Sequence, residues 1–191
     1  MPRNRARPQD LGNQRDSLGR MYDEVSNPTM TPGAGITAGS GTIYKTSVVR
    51  EGEVIVTRIL LDLTGLASTT TDLDIIGTTG VSHIGQITAA VNGTILGGTM
   101  ECLEVPATGA DDIDFYSASV GTGAYDADAS GLTSAAVLVT KSGAWALGDV
   151  NALVADAIVA NDYLYLAAGE GSVPATYTAG RFLITLYGNP V

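Results

Sequence analysis

This sequence has few of the residues that carry most protein chemistry. Its 191 residues include one Cys, one His and one Trp, and Lys and Arg together number 10. A single Cys, Cys102, excludes an internal disulfide. Set between Glu101 and Leu103 in a strand-like run, it reads as a small buried hydrophobe rather than a reactive thiol. A single His, His83, excludes a His-based metal site within one chain and leaves no third member for a nucleophilic triad. Its place within a short strand points to a structural or interface role. No G-x-S-x-G, P-loop or dinucleotide fingerprint occurs. Gly33-x-Gly35 and Gly39-x-Gly41 follow no strand, so they are not phosphate loops. One Trp and two Phe are few for a sugar-stacking cleft around a glycosidase carboxylate pair. No apolar run approaches the ~20 residues of a membrane-crossing helix. The basic N-terminus is followed by no apolar stretch of the secretory kind, so the chain is expected to be made in a cytoplasm. No catalytic residue, cofactor or metal is assigned.

What the sequence does contain is β-forming. There are 24 Gly and 22 Thr, turn and strand residues respectively, and 8 Tyr dominate the aromatics. The net charge of −10 is unevenly placed. Residues 1–20 hold Arg3, Arg5, Arg7, Arg15 and Arg20 against Asp10 and Asp16, a balance of +3 that leaves −13 for the remainder. An acidic body of this kind is a poor electrostatic match for nucleic acid or an anionic membrane, and neither is expected as a partner.

The length suits one domain with an appendage. Residues 1–41 read as an extended or flexible arm and linker. The segment is polar, carries Pro2, Pro8, Pro28 and Pro32, and ends in the Gly-rich run 33–41. Two readings compete: a solvated tail, or an arm that orders against a partner. In the second, the five Arg side chains pair with carboxylates while Tyr22 and Met30 plug pockets.

Residues 42–191 read as a β-sandwich domain. Strands are expected over 42–50, 53–63, 74–77, 82–87, 94–105, 111–119 and 135–140, with a hairpin turn at Asn92-Gly93 and a bulge at Gly97-Gly98. In 111–119, Ile113 and Phe115 face one way and Asp112, Asp114 and Tyr116 the other, a buried face and a wet one. Val150, Leu153, Val154, Ala157 and Ile158 have helical spacing behind an Asp149 cap, the single helix expected. Tyr163–Leu166 and Arg181–Tyr187, joined by a Gly- and Pro-containing turn, read as a closing hairpin whose second strand is buried on both faces. The expected fold is all-β: a two-sheet antiparallel sandwich of jelly-roll type with an N-terminal arm and at most one short helix. Asp111, Asp112 and Asp114, with Asp126 and Asp128, flank a loop, yet match no Ca²⁺-loop spacing and read as a solvated acidic rim.

The stretches 159–166 and 178–187 resemble the late strands of trimeric jelly rolls: a turn followed by an apolar strand, and a small-Gly step followed by an apolar run. From basic arm through acidic Gly/Thr/Ala-rich body, the chain is similar to capsid decoration (cement) proteins of tailed bacteriophages, particularly those of marine and cyanobacterial phages. The resemblance implies a non-enzymatic virion protein. It would form a homotrimer seated outside an icosahedral capsid, clamping neighbouring copies of the major capsid protein. The arm would reach the partner, and apolar strands carrying Tyr163, Tyr165, Phe182 and Tyr187 would bury between subunits. A tail-fibre or receptor-binding tip, reading host glycans through the loop 121–131, is the alternative.

Overall fold

A computed structural model describes residues 30–154, 157–169 and 174–191. Arg3, Arg5, Arg7, Arg15, Arg20 and Tyr22 of the arm lie outside the described residues. Among the described residues the strands are β1 (Tyr44–Glu51), β2 (Val54–Asp62), β3 (Gly85–Gln86), β4 (Thr94–Ala107) and β5 (Ile113–Ala118). They continue with β6 (Ala136–Val139), β7 (Val150–Ala152), β8 (Tyr163–Ala168) and β9 (Ala179–Asn189). One sheet has the order β1-β2-β9-β4-β7 and the other β3-β8-β5-β6. With β1 set aside as an added edge, strands 2-9-4-7 face strands 3-8-5-6. That is the order of a jelly roll, in which the chain repeatedly crosses from sheet to sheet.

The centre of the fold is β9, which pairs antiparallel with β2 on one side and β4 on the other. Ile184 lies opposite both Ile59 and Met100, and Phe182 opposite both Leu61 and Cys102. All six side chains are fully buried and meet Phe115, Leu138, Leu164 and Leu166 of the facing sheet. Trp145 closes one end, its ring centroid 5.2 Å from that of Phe182 with the planes at 76°, and its Nε1–H donates to the Ile113 carbonyl at 2.8 Å. The indole is thereby fully buried with its one polar atom satisfied.

The last two strands are not a hairpin. β8 belongs to the four-stranded sheet and β9 to the five-stranded one, so the two strands lie in different sheets and do not pair with each other. Nor is β9 buried on both faces. Phe182, Ile184 and Leu186 point inward, whereas Arg181 and Leu183 are half-buried and Tyr187 is 42% exposed.

The expected helix is also absent from the described part of 150–158. Val150–Ala152 is strand β7, paired with Thr99–Glu101 of β4. Asp149 caps no helix; its carboxylate accepts from Lys141 Nζ at 2.6 Å and from the Ala146 N–H at 2.9 Å. An available sheet edge outweighs a weak 3.6-residue period. Helical turns occur instead at α1 (Ala34–Thr37) and α2 (Ala89–Asn92), so the described residues hold two short helices where one at most was expected.

Asn92-Gly93 is correspondingly no hairpin turn. Asn92 closes α2, accepts from the Thr88 N–H and donates to Thr57 Oγ1, while Gly93 leaves the helix at φ +70°. A bulge occurs beside the expected Gly97-Gly98 position rather than at it: the register shifts between Ile95 and Gly97, leaving Leu96 as the extra residue, while Gly97 and Gly98 pair with Tyr187 and Leu186. Residues 30–41, expected in the flexible linker, belong to the body. Met30 and Ile36 are buried, and Gly33 and Gly35 donate backbone hydrogen bonds to the carbonyls of His83 and Val81.

The register of β9 yields a direct check. Phe182→Ala should cost ~3–5 kcal/mol, the usual cost of emptying an aromatic core site. Leu183→Ala, one residue along but pointing outward, should cost no more than ~1 kcal/mol. Chemical denaturation of the two variants measures both, and equal losses would contradict the inward–outward assignment.

Candidate functional site

The two outer faces of the sandwich differ in kind. On the four-stranded sheet, Tyr116, Ala118, Tyr165 and Ala167 face away from the main core but are buried under a second layer formed by Ile75, Ala127, Ala129 and Leu132. Asp112, Asp114 and Tyr116 are therefore buried, and the wet face expected for β5 does not exist; all six of its residues are covered. The carboxylates work as backbone acceptors. Asp112 Oδ2 takes the Gly143 N–H at 2.9 Å and Asp114 Oδ1 the Lys141 N–H at 2.7 Å. Asp128 Oδ1 accepts from Ser130 N and Oγ in the turn at Ala129–Gly131.

The loop 121–131 lies against this sheet. Tyr165 Oη donates to the Val120 carbonyl at 2.7 Å and accepts from the Gly123 N–H at 3.2 Å. A Cβ at Gly121 would stand 2.5 Å from the Tyr163 ring, and one at Gly123 2.7 Å from that of Tyr165. Gly121 and Gly123 are thus places where backbone lies against an aromatic ring.

Among the described residues, the five-stranded sheet has no such second layer. Of the exposed large apolar residues, Val49, Leu96, Leu103, Val105, Val150 and Tyr187 all lie in its strands, and Val137 alone lies in the other sheet. Register arranges its outer face in rows. One runs Lys45–Leu60–Leu183–Glu101–Val150 across the five strands. The next runs Ser47–Arg58–Thr185–Thr99–Ala152, and beyond it lies Val49–Val56–Tyr187–Gly97. At the opposite end Asp62, Arg181 and Glu104 lie side by side, with Arg181 Nη2 2.6 Å from Asp62 and 3.6 Å from Glu104. Burial pushes the Asp62 carboxyl up, but hydrogen bonds from Thr64 and Arg181 and the guanidinium charge outweigh it and hold it below the usual carboxylate range.

A smaller feature sits where the sandwich opens between β1 and β3. Met30 spans the gap. Its N–H donates to Thr46 Oγ1 at 3.2 Å, and its side chain rests on Gly85, where a Cβ would stand 2.5 Å from the methyl carbon. Tyr44 Oη bridges the same gap to the Ile84 carbonyl at 2.5 Å, and burial raises its pKa. Cavities of about 400 and 440 Å³ flank the Met30–Pro32 segment. The first contains His83, whose ring meets Tyr163 edge-on with centroids 4.9 Å apart and whose Nδ1 is buried with no hydrogen-bond partner among the described residues.

The residues singled out from sequence are thus dispersed. Tyr165 and Phe182, expected at an oligomer interface, have no exposed surface and belong to the protomer's interior. Tyr163 is half-buried against His83, and of the four Tyr187 is the one on the bare face. Met30 plugs a gap in its own chain. Cys102 is a core residue whose thiol burial raises its pKa. No three of His, Cys, Asp or Glu converge on a possible metal position among the described residues. Sequence reading missed the Lys45–Val150 row because strand pairing creates it, and no local pattern encodes it. No protein-family model, curated protein or solved structure matches this chain.

His83 gives this region a pH dependence. Burial lowers its pKa, and among the described residues no Asp, Glu, Lys or Arg lines its cavity. The folded state therefore binds this proton less readily than the unfolded one, whose imidazole titrates near ~6.5. The stability it contributes is complete above that value and is lost as pH falls below it. Between about pH 7 and pH 5, wild-type protein should lose more urea resistance than His83→Phe. Parallel losses in the two proteins would contradict the assignment.

Proposed function

We propose that this protein is a non-enzymatic virion component: a decoration, or cement, protein bound to the outside of an icosahedral phage capsid, where it stabilises contacts between copies of the major capsid protein. The observation that supports an adhesive role is the outer face of the five-stranded sheet, which no second layer covers among the described residues. It presents Leu103, Val150 and Tyr187 among ordered charges while the opposite sheet is sealed. Exposed apolar surface on an otherwise well-covered domain marks a place where something else binds. The virion setting and a three-copy assembly come from the resemblance of the sequence.

In this reading the arm carries Arg3, Arg5, Arg7, Arg15 and Arg20 to acidic groups on the shell. Each contact is weak in water and screened by salt, so holding power comes from several arms acting together. The anchor at Met30 fixes where each arm leaves the body.

The test is co-sedimentation with mature capsid shells, using the full chain and a version lacking residues 2–28. The truncated chain keeps Met30 and should retain its melting temperature but lose shell binding. Binding of the full chain should weaken as salt rises toward ~1 M, where the screening length falls to about 3 Å. Undiminished binding by the truncated chain would contradict the arm's role, and no binding by the full chain would contradict the function.

A further inference from the structure

We infer that the outer face of the five-stranded sheet is self-complementary and pairs face to face with the same face of a second copy. Pairing takes place about a two-fold axis parallel to the strands, between β2 and β9. The inference deepens the adhesive reading of that face, on which it rests, by naming one occupant.

The argument is the row order. Such an axis exchanges β2 with β9 and β1 with β4, and sets each row against the same row of the partner. In the row Lys45–Leu60–Leu183–Glu101, Lys45 then meets a Glu101, and Leu60 meets a Leu183. At the end of the sheet, Asp62 meets an Arg181, and in the row nearest the other end Val49, which is exposed, meets the open space at Gly97. Leu60 and Leu183 thus face each other, Val49 faces open space, and Lys45, Glu101, Asp62 and Arg181 each face an opposite charge. Isologous pairing requires this of one surface.

Lys45 supplies an independent reason. Arg50, Arg58, Lys141 and Arg181 all have an acidic partner within the chain; Lys45 is the cation without an ion pair among the described residues. Glu101, three strands away at the far end of the row, is likewise without one among the described residues. At ~4.8 Å per strand the two are roughly 14 Å apart within a chain, so they satisfy each other only between chains. Four strands by four rows give a contact of roughly 500 Å² on each copy. The sum is about the 1,000 Å² at which specific association begins, so the pairing is reversible rather than obligate.

Sedimentation velocity of the full chain over a range of concentrations tests this. The expected result is an even-numbered assembly, a dimer or paired trimers. Lys45→Glu and Glu101→Lys should each raise the dissociation constant by ~10-fold or more, since each places like charges opposite one another twice per two-fold. The double variant should return to within ~3-fold of wild type. Both sites are at the surface, and an unchanged melting temperature shows that the variants fold. A monomer or simple trimer at all concentrations would overturn the pairing, as would an assembly indifferent to both single changes. Shell binding is measured separately: full binding without pairing overturns this inference alone, and pairing without shell binding overturns only the capsid reading.

Discussion

Phe182, Ile184 and Leu186 project from one strand into the space between two sheets, and the alignment of that strand with both neighbours governs everything outside it. β9 is hydrogen-bonded to β2 and β4 together, so its register is fixed twice. A slip of one residue would turn Arg181, Leu183 and Thr185 into the core and carry the three apolar side chains to the surface. The same alignment that fills the interior therefore also writes the order of side chains on the outer face. Core and interaction surface are two sides of one constraint.

The rest of the fold makes the two exteriors unequal. Over the four-stranded sheet, the chain spends residues 73–76 and 119–132 on a second layer, sealed by Tyr165 and by glycines lying on tyrosine rings. Charge follows the same division. Lys45 and Arg50 lie on β1, Arg58 on β2 and Arg181 on β9, whereas Asp72, Asp74, Asp126 and Asp128 belong to the other side. One exterior is acidic and repels its like; the other is nearly balanced and partly apolar, so copies can approach on that side. A body of high negative charge thereby stays dispersed without losing the capacity to bind in one orientation.

How much of this was legible in the sequence depended on the range of the interaction. β-branched runs announced β1, β2 and β4, and Gly97-Gly98 announced a bulge that falls at the adjoining Leu96, because these depend on local backbone preference. The closing hairpin misled: two apolar strands joined by a Gly- and Pro-rich turn look alike whether they pair with each other or face each other across a core. The period of Val150, Leu153 and Val154 misled too, since edge pairing to Thr99–Glu101 decides that segment. The aspartates around Ile113 seemed wet because their polarity is visible, while the loop backbone they bind lies some 27 to 31 residues away. Tyr165 and Phe182 were assigned to an interface on aromatic character alone, and only packing shows that they are interior. The row from Lys45 to Val150 draws one residue from each of five strands and has no local signature.

The claim on which this account depends is that the five-stranded sheet, rather than the loop-covered one, is the adhesive side. Carboxylate footprinting of the full chain, isolated and assembled, addresses it directly. On assembly Glu101 should become protected while Asp126 and Asp128, on the opposite side, are labelled as in the isolated chain. Protection of Asp126 and Asp128 with Glu101 left open would place the contact on the wrong face and contradict the account.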